Sequence, residues 1–121
     1  MSTDLLAASS ITPKLLCSTQ VAETTATTVY TVPASSSVKI THGVLCNTSA
    51  AAVSVSLALV PSGGADDGTH TIISSYSLTP HDTLSLRDYV ADAMLGDGDF
   101  ISITCSTGAV VDVVLSGAVS A

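Results

Sequence analysis

Serine, histidine and aspartate are all present, so a hydrolytic triad is the first chemistry to weigh. It needs a histidine that takes the serine proton and an acid that orients the histidine. The chain has no G-x-S-x-G turn to raise a nucleophile. His42 falls inside an alternating strand pattern, while His70 and His81 flank loops. No Ser–His pairing is specified, and the chain is read as a non-enzyme. Asp66 and Asp67 form one acidic pair, and Asp97 and Asp99 another, each in a Gly-containing loop. Paired carboxylates bind calcium through oxygen, and with His70 close behind the first pair a divalent ion at a subunit contact is the metal reading. The twelve-residue calcium-loop pattern is absent, and Gly96-Asp97-Gly98-Asp99 reads more simply as a tight turn. Gly63-Gly64 and Gly108 are not followed by Lys-Ser/Thr, so neither is a phosphate loop. No cofactor and no metal are assigned.

Asn47-Thr48-Ser49 matches a glycosylation acceptor in form, but reads better as a hairpin turn. Arg87, between Leu86 and Asp88, reads as a solvated strand residue, with an ion pair across an interface as its alternative. Cys17, Cys46 and Cys105 are odd in number, widely separated and without a C-x-x-C, which removes zinc and thioredoxin-type readings. Each lies in or beside an apolar strand pattern. Buried free thiols are the favoured reading, with Cys46 and Cys105 facing inward; one disulfide plus a spare thiol is the other.

The 121 residues suffice for one domain with one core. Ten acids oppose Lys14, Lys39 and Arg87, giving a formal charge of −7. Three cations neutralise few phosphates, which disfavours nucleic acid and anionic membrane surfaces as partners. Hydrophobic residues make up 46% and charged residues 11% of the chain, with a mean hydropathy of +0.57. No apolar run reaches the ~20 residues of a membrane helix. The start is not read as a signal peptide: it has no basic region, Asp4 comes early, and Leu5–Ala8 is short. High hydropathy with few charges predicts surface buried against other subunits. A Ser/Thr-rich monomer is the competing reading.

More than half the residues are Ala, Ser, Thr or Val, and there is no Trp. A core must therefore come from aliphatic side chains on closely packed sheets. Period-two alternation marks strands over 11–17, 29–32, 38–46, 53–60, 69–78, 83–90, 100–105 and 110–119. Pro13 places the first at an edge. Residues 18–28 read as a loop or an exposed strand, and 91–95 as one helical turn. Within 38–46 the alternation puts Val38, Ile40, His42, Val44 and Cys46 on one face and Leu45 on the other. Val55, Leu57, Ile101, Ile103, Val111 and Val113 are the predicted core. The fold class is all-β: an antiparallel β-sandwich, jelly-roll-like, of about eight strands. Residues 11–121 form its single domain. Residues 1–10 form an N-terminal arm, uncommitted to a strand pattern, whose Leu5 and Leu6 are the candidate partner contacts.

The segments I-T-P-K-L-L (11–16), V-Y-T-V-P-A (29–34), L-C-N-T-S-A (45–50) and L-V-P-S-G-G (59–64) resemble small β-domain virion proteins of tailed bacteriophages. The resemblance continues through S-L-T-P-H-D-T-L (77–84) and G-D-F-I-S (98–102). It implies a structural role as a capsid decoration protein that stabilises the assembled head. It further implies a homo-oligomer, a trimer, on the major capsid protein, located on the capsid surface of a virion assembled in the host cytoplasm. The alternative is a tail-associated structural or receptor-binding module at the tail tip or fibre. Against a receptor site stands the scarcity of aromatic platforms, limited to Phe100, Tyr30, Tyr76 and Tyr89. No catalytic residues come with the resemblance.

Overall fold

Branched apolar residues alternating with Ser and Thr extend most of the backbone, because such side chains suit a pleated, half-buried surface. In the computed structural model, which describes residues 11–66, 68–90 and 93–120, they form nine strands. These are β1 (Ile11–Val21), β2 (Thr27–Thr31), β3 (Ser37–Asn47), β4 (Val53–Val60), β5 (Thr71–Leu78), β6 (Thr83–Ser85), β7 (Met94–Leu95), β8 (Phe100–Cys105) and β9 (Val111–Ser120). One helical turn, α1 (Arg87–Val90), interrupts them. The strand beyond the expected eight is the two-residue β7.

The strands build two antiparallel sheets. One has the order β1-β9-β3-β6, with β7 also pairing β3; the other has the order β2-β8-β4-β5. β1 is an edge strand, as Pro13 predicts, and runs four residues further than the sequence pattern, to Val21. The core lies between the sheets. Val55, Leu57, Ile101, Ile103, Val111 and Val113 are all buried within it. Each such side chain contributes about 1.5–3 kcal/mol by leaving water.

The alternation of β3 is not continuous. Its register against β9 shifts between Ile40 and His42, leaving Thr41 as an extra residue. One inserted residue exchanges the two faces of everything beyond it. Val38 and Ile40 therefore point inward, but so do Gly43, Leu45 and Asn47. His42, Val44 and Cys46 face outward, and Leu45 is a core residue, which reverses the expected faces after residue 41.

A second correction concerns 83–90. The strand stops at Ser85, and Arg87–Val90 forms the helical turn expected at 91–95. Leu86 and Val90, four apart, both bury, and the Val90 amide donates to the Leu86 carbonyl at 2.9 Å. Residues four apart share a face in a strand as well as in a helix, so the hydrogen bond and not the spacing makes this a helical turn. Arg87 is accordingly an exposed helical residue, not a strand one. Met94–Leu95, within the expected helical segment, is a strand; Ala91 and Asp92 lie outside the described residues, as does the expected arm 1–10.

Candidate interaction surface

The polar residues singled out by sequence are used to fold the chain. Asp99 accepts the Ser62 amide at 2.9 Å through Oδ1 and the Gly96 amide at 2.8 Å through Oδ2. Asp97 accepts the Ser35 amide at 3.0 Å, and Asp66 accepts the Ser102 hydroxyl at 2.7 Å. The two acidic loops thus meet at one end of the sandwich, but each of these carboxylates serves a backbone or hydroxyl donor. Asp67 lies outside the described residues. Among the described residues no three His, Cys, Asp or Glu side chains converge as a metal site. The imidazoles stand apart: His42 on an outer sheet face, His70 at the start of β5, and His81 in a turn at φ 57°.

Asn47 organises the turn between β3 and β4, but the expected hairpin is corrected: the two strands fall in opposite sheets, so the turn is a crossing between sheets. Its Nδ2 donates to the carbonyls of Ala51 at 2.8 Å, Leu78 at 3.2 Å and Thr79 at 3.2 Å. Its Oδ1 accepts from the Ser49 amide at 3.0 Å and the Ser49 hydroxyl at 2.8 Å. The residue is fully buried, so this amide cannot carry a glycan in the folded chain. An Asx turn closes the loop, and the same amide ties it to the end of β5.

All three cysteines are free thiols. Cys105 is buried in the core, and burial pushes its thiol up to about 11. Cys17 is half-buried; burial raises its pKa against a smaller lowering by its hydrogen bond with the Leu115 backbone. Tyr30 is raised by burial and by the neighbouring Cys17. Cys46 is only half-buried, on the outward side of β3, so its predicted inward placement is corrected by the bulge at Thr41.

The two outer sheet faces differ. On the four-stranded sheet, Ala58 pairs Ser102 and Val60 pairs Phe100 on the side away from the core. Ala58, Val60 and Ser102 are nevertheless about 1% exposed. The loop after β4 folds back over them: Asp66 holds Ser102, and a Cβ on Gly64 would lie 3.2 Å from Val60. On the five-stranded sheet the outward Ser37 and Ser120 at one end are buried, but the other outward positions carry no such cover among the described residues. Its outward positions include Ile11 and Leu15, each 56% exposed, and Met94, 53% exposed. Half-buried Val44, Val114 and Ala118 lie between them. The charged residues at outward positions of its three long strands are Lys39 and Asp112.

Sequence reading did not pick out this face. The alternation of Ile11, Pro13 and Leu15 was its one available signal, since the side taken by Val44 depends on a bulge. Leu5 and Leu6, the predicted contacts, lie outside the described residues. In comparisons with known proteins, no family model, no curated protein and no solved structure matches the chain.

Proposed function

We propose that this protein is a non-enzymatic structural component of a bacteriophage virion. In this reading it is a homo-oligomer that binds the major capsid protein and stabilises the assembled head. The observation that carries the reading is the strand order, β1-β9-β3-β6 over β2-β8-β4-β5. Strands adjacent in the chain, such as β1 and β2, β3 and β4, or β8 and β9, fall in opposite sheets. That order supports the jelly-roll-like form, an architecture that recurs in viral capsid domains. The apolar face that the described residues leave largely uncovered supports a role in assembly, and the use of the acidic loops as structural hydrogen-bond acceptors supports a role without chemistry. Stabilisation would be mechanical: a protein that binds the assembled shell and not its dissociated parts shifts that equilibrium by mass action.

The test is to add the purified protein to heads that lack it and measure the temperature at which they open. Binding with a raised opening temperature is expected, and deleting Met1–Ser10 should weaken binding while leaving the circular dichroism spectrum unchanged. Recovery of the protein only at the tail tip of purified virions would overturn the head assignment in favour of the tail-associated one.

A further inference from the structure

We infer that the outer face of the five-stranded sheet packs against the same face of a second copy, with the strands reversed about a two-fold axis. This deepens the oligomeric part of the proposed function, on which it rests, and is independent of where the oligomer attaches.

Three observations carry it. First, this face exposes larger apolar side chains, Ile11, Leu15 and Met94, whereas on the other sheet the chain's own loop covers the Ala58, Val60 and Ser102 end and the rest of that outer face is mostly Ser and Thr. Second, the charges at its outward positions are arranged for self-complementarity. Lys39 lies near the start of β3, opposite Ala118, while Asp112 lies opposite Cys46 near the other end of the ladder. Six residues of β9 separate these levels, the extra residue on β3 being the bulged Thr41, a distance of roughly 20 Å. A two-fold axis lying across the strands, level with His42 and Val44, reverses the ladder. It carries Lys39 of each copy over Asp112 of the other, and sets Val44 and Val114 at the centre. Such an isologous arrangement repeats each contact twice. A molecule with a charge of −7 repels its own copies elsewhere; this face is balanced. Third, the dimensions fit. Strands of about 33 Å, three abreast at about 4.8 Å, cover a footprint of roughly 500 Å². Counted on both copies, such a footprint buries about 1,000 Å², at the small end of specific interfaces.

The free edge of β1 is a poorer route to the same pairing. Pro13 removes one donor, Lys14 brings a charge, and the register shift between Leu15 and Cys17 disrupts the ladder; all three are devices that block edge-to-edge association. Burial of the open face is therefore the better account of the high hydropathy.

The test is mass by light scattering and sedimentation at micromolar concentration. Twice the 12.1 kDa chain mass is expected. Val114→Arg, at the centre of the face, should weaken self-association by at least about tenfold with an unchanged circular dichroism spectrum. Lys39→Glu and Asp112→Lys should each weaken it by about tenfold, because each puts like charges opposite one another. The double swap should restore it. A dimer indifferent to Val114→Arg, or a double swap no better than either single variant, would overturn the proposal. A trimer would overturn the two-fold arrangement while leaving the head-stabilising reading intact. A monomer would remove both this proposal and the oligomeric part of that reading, without touching the head-binding experiment.

Discussion

Replacing Asn47 by Ala tests whether one buried amide holds the two sheets' turns in place. The substitution removes an acceptor for two Ser49 donors and a two-proton donor facing the carbonyls of Ala51, Leu78 and Thr79. Two protons make two full bonds at once, so about four hydrogen bonds are lost, each contributing about 1 kcal/mol. The carbonyls left without that donor add desolvation, and water entering from the turn offsets part of it. The expected loss is about 3–5 kcal/mol, a large fraction of the ~5–15 kcal/mol that holds a domain of this size. With a urea dependence of about 1.5 kcal/mol per molar, the unfolding midpoint should fall by roughly 2–3 M. Asn47→Asp sharpens the test. The carboxylate keeps the Ser49 contacts but faces three carbonyl oxygens, so its folded-state pKa rises above the unfolded ~3.9. Its stability should be greatest below that value and decline as pH rises through the folded pKa. A loss under 1 kcal/mol for Asn47→Ala, or an Asn47→Asp variant whose deficit does not shrink in acid, would refute the account.

Three further outcomes follow from the same structure. Burial raises Cys105 to about 11, so its contribution is complete below the unfolded value near 9 and lost as pH climbs toward 11; at about 1.4 kcal/mol per pKa unit that is roughly 2–3 kcal/mol. Cys105→Ala should flatten this alkaline decline in urea titrations, leaving the smaller slopes from Cys17 and Tyr30. Gly117→Ala should cost more than about 2 kcal/mol in thermal unfolding, because a Cβ there would collide with the backbone carbonyl of Lys39, which cannot rotate away. Native thiol labelling should modify Cys46 well before Cys105, with all three thiols titrating once the chain is unfolded.

The sequence was legible where one physical rule acted alone. The bounds of β4 and β8 coincide with their alternating runs, and their inward residues are the ones whose apolar spacing is unbroken. It was illegible where a second geometry intervened. Nothing in V-K-I-T-H-G-V-L-C says that Thr41 is an inserted residue; the insertion exists only relative to β9, a strand seventy positions away. Leu84, Leu86 and Val90 fit both a strand and a helical turn until the Val90 amide is seen donating to the carbonyl of Leu86 at 2.9 Å. The open sheet face was hidden for the first reason, and the acidic loops looked chemical because the amides they serve come from distant segments.

The position of β9 sets an order of events during synthesis. β1 pairs only with β9, and β3 pairs with it along ten residues. Until β9 leaves the ribosome, β1 has no ladder partner and β3 can recruit only the short β6 and β7. The other sheet waits less, since β2 and β4 are joined by β8. A nascent chain therefore carries two long apolar strands exposed for most of its translation, and closure comes late because its contacts are remote in sequence. Slow translation, or arrest between residues 105 and 111, should leave a half-built chain with an unpaired β1, the species most in need of a chaperone.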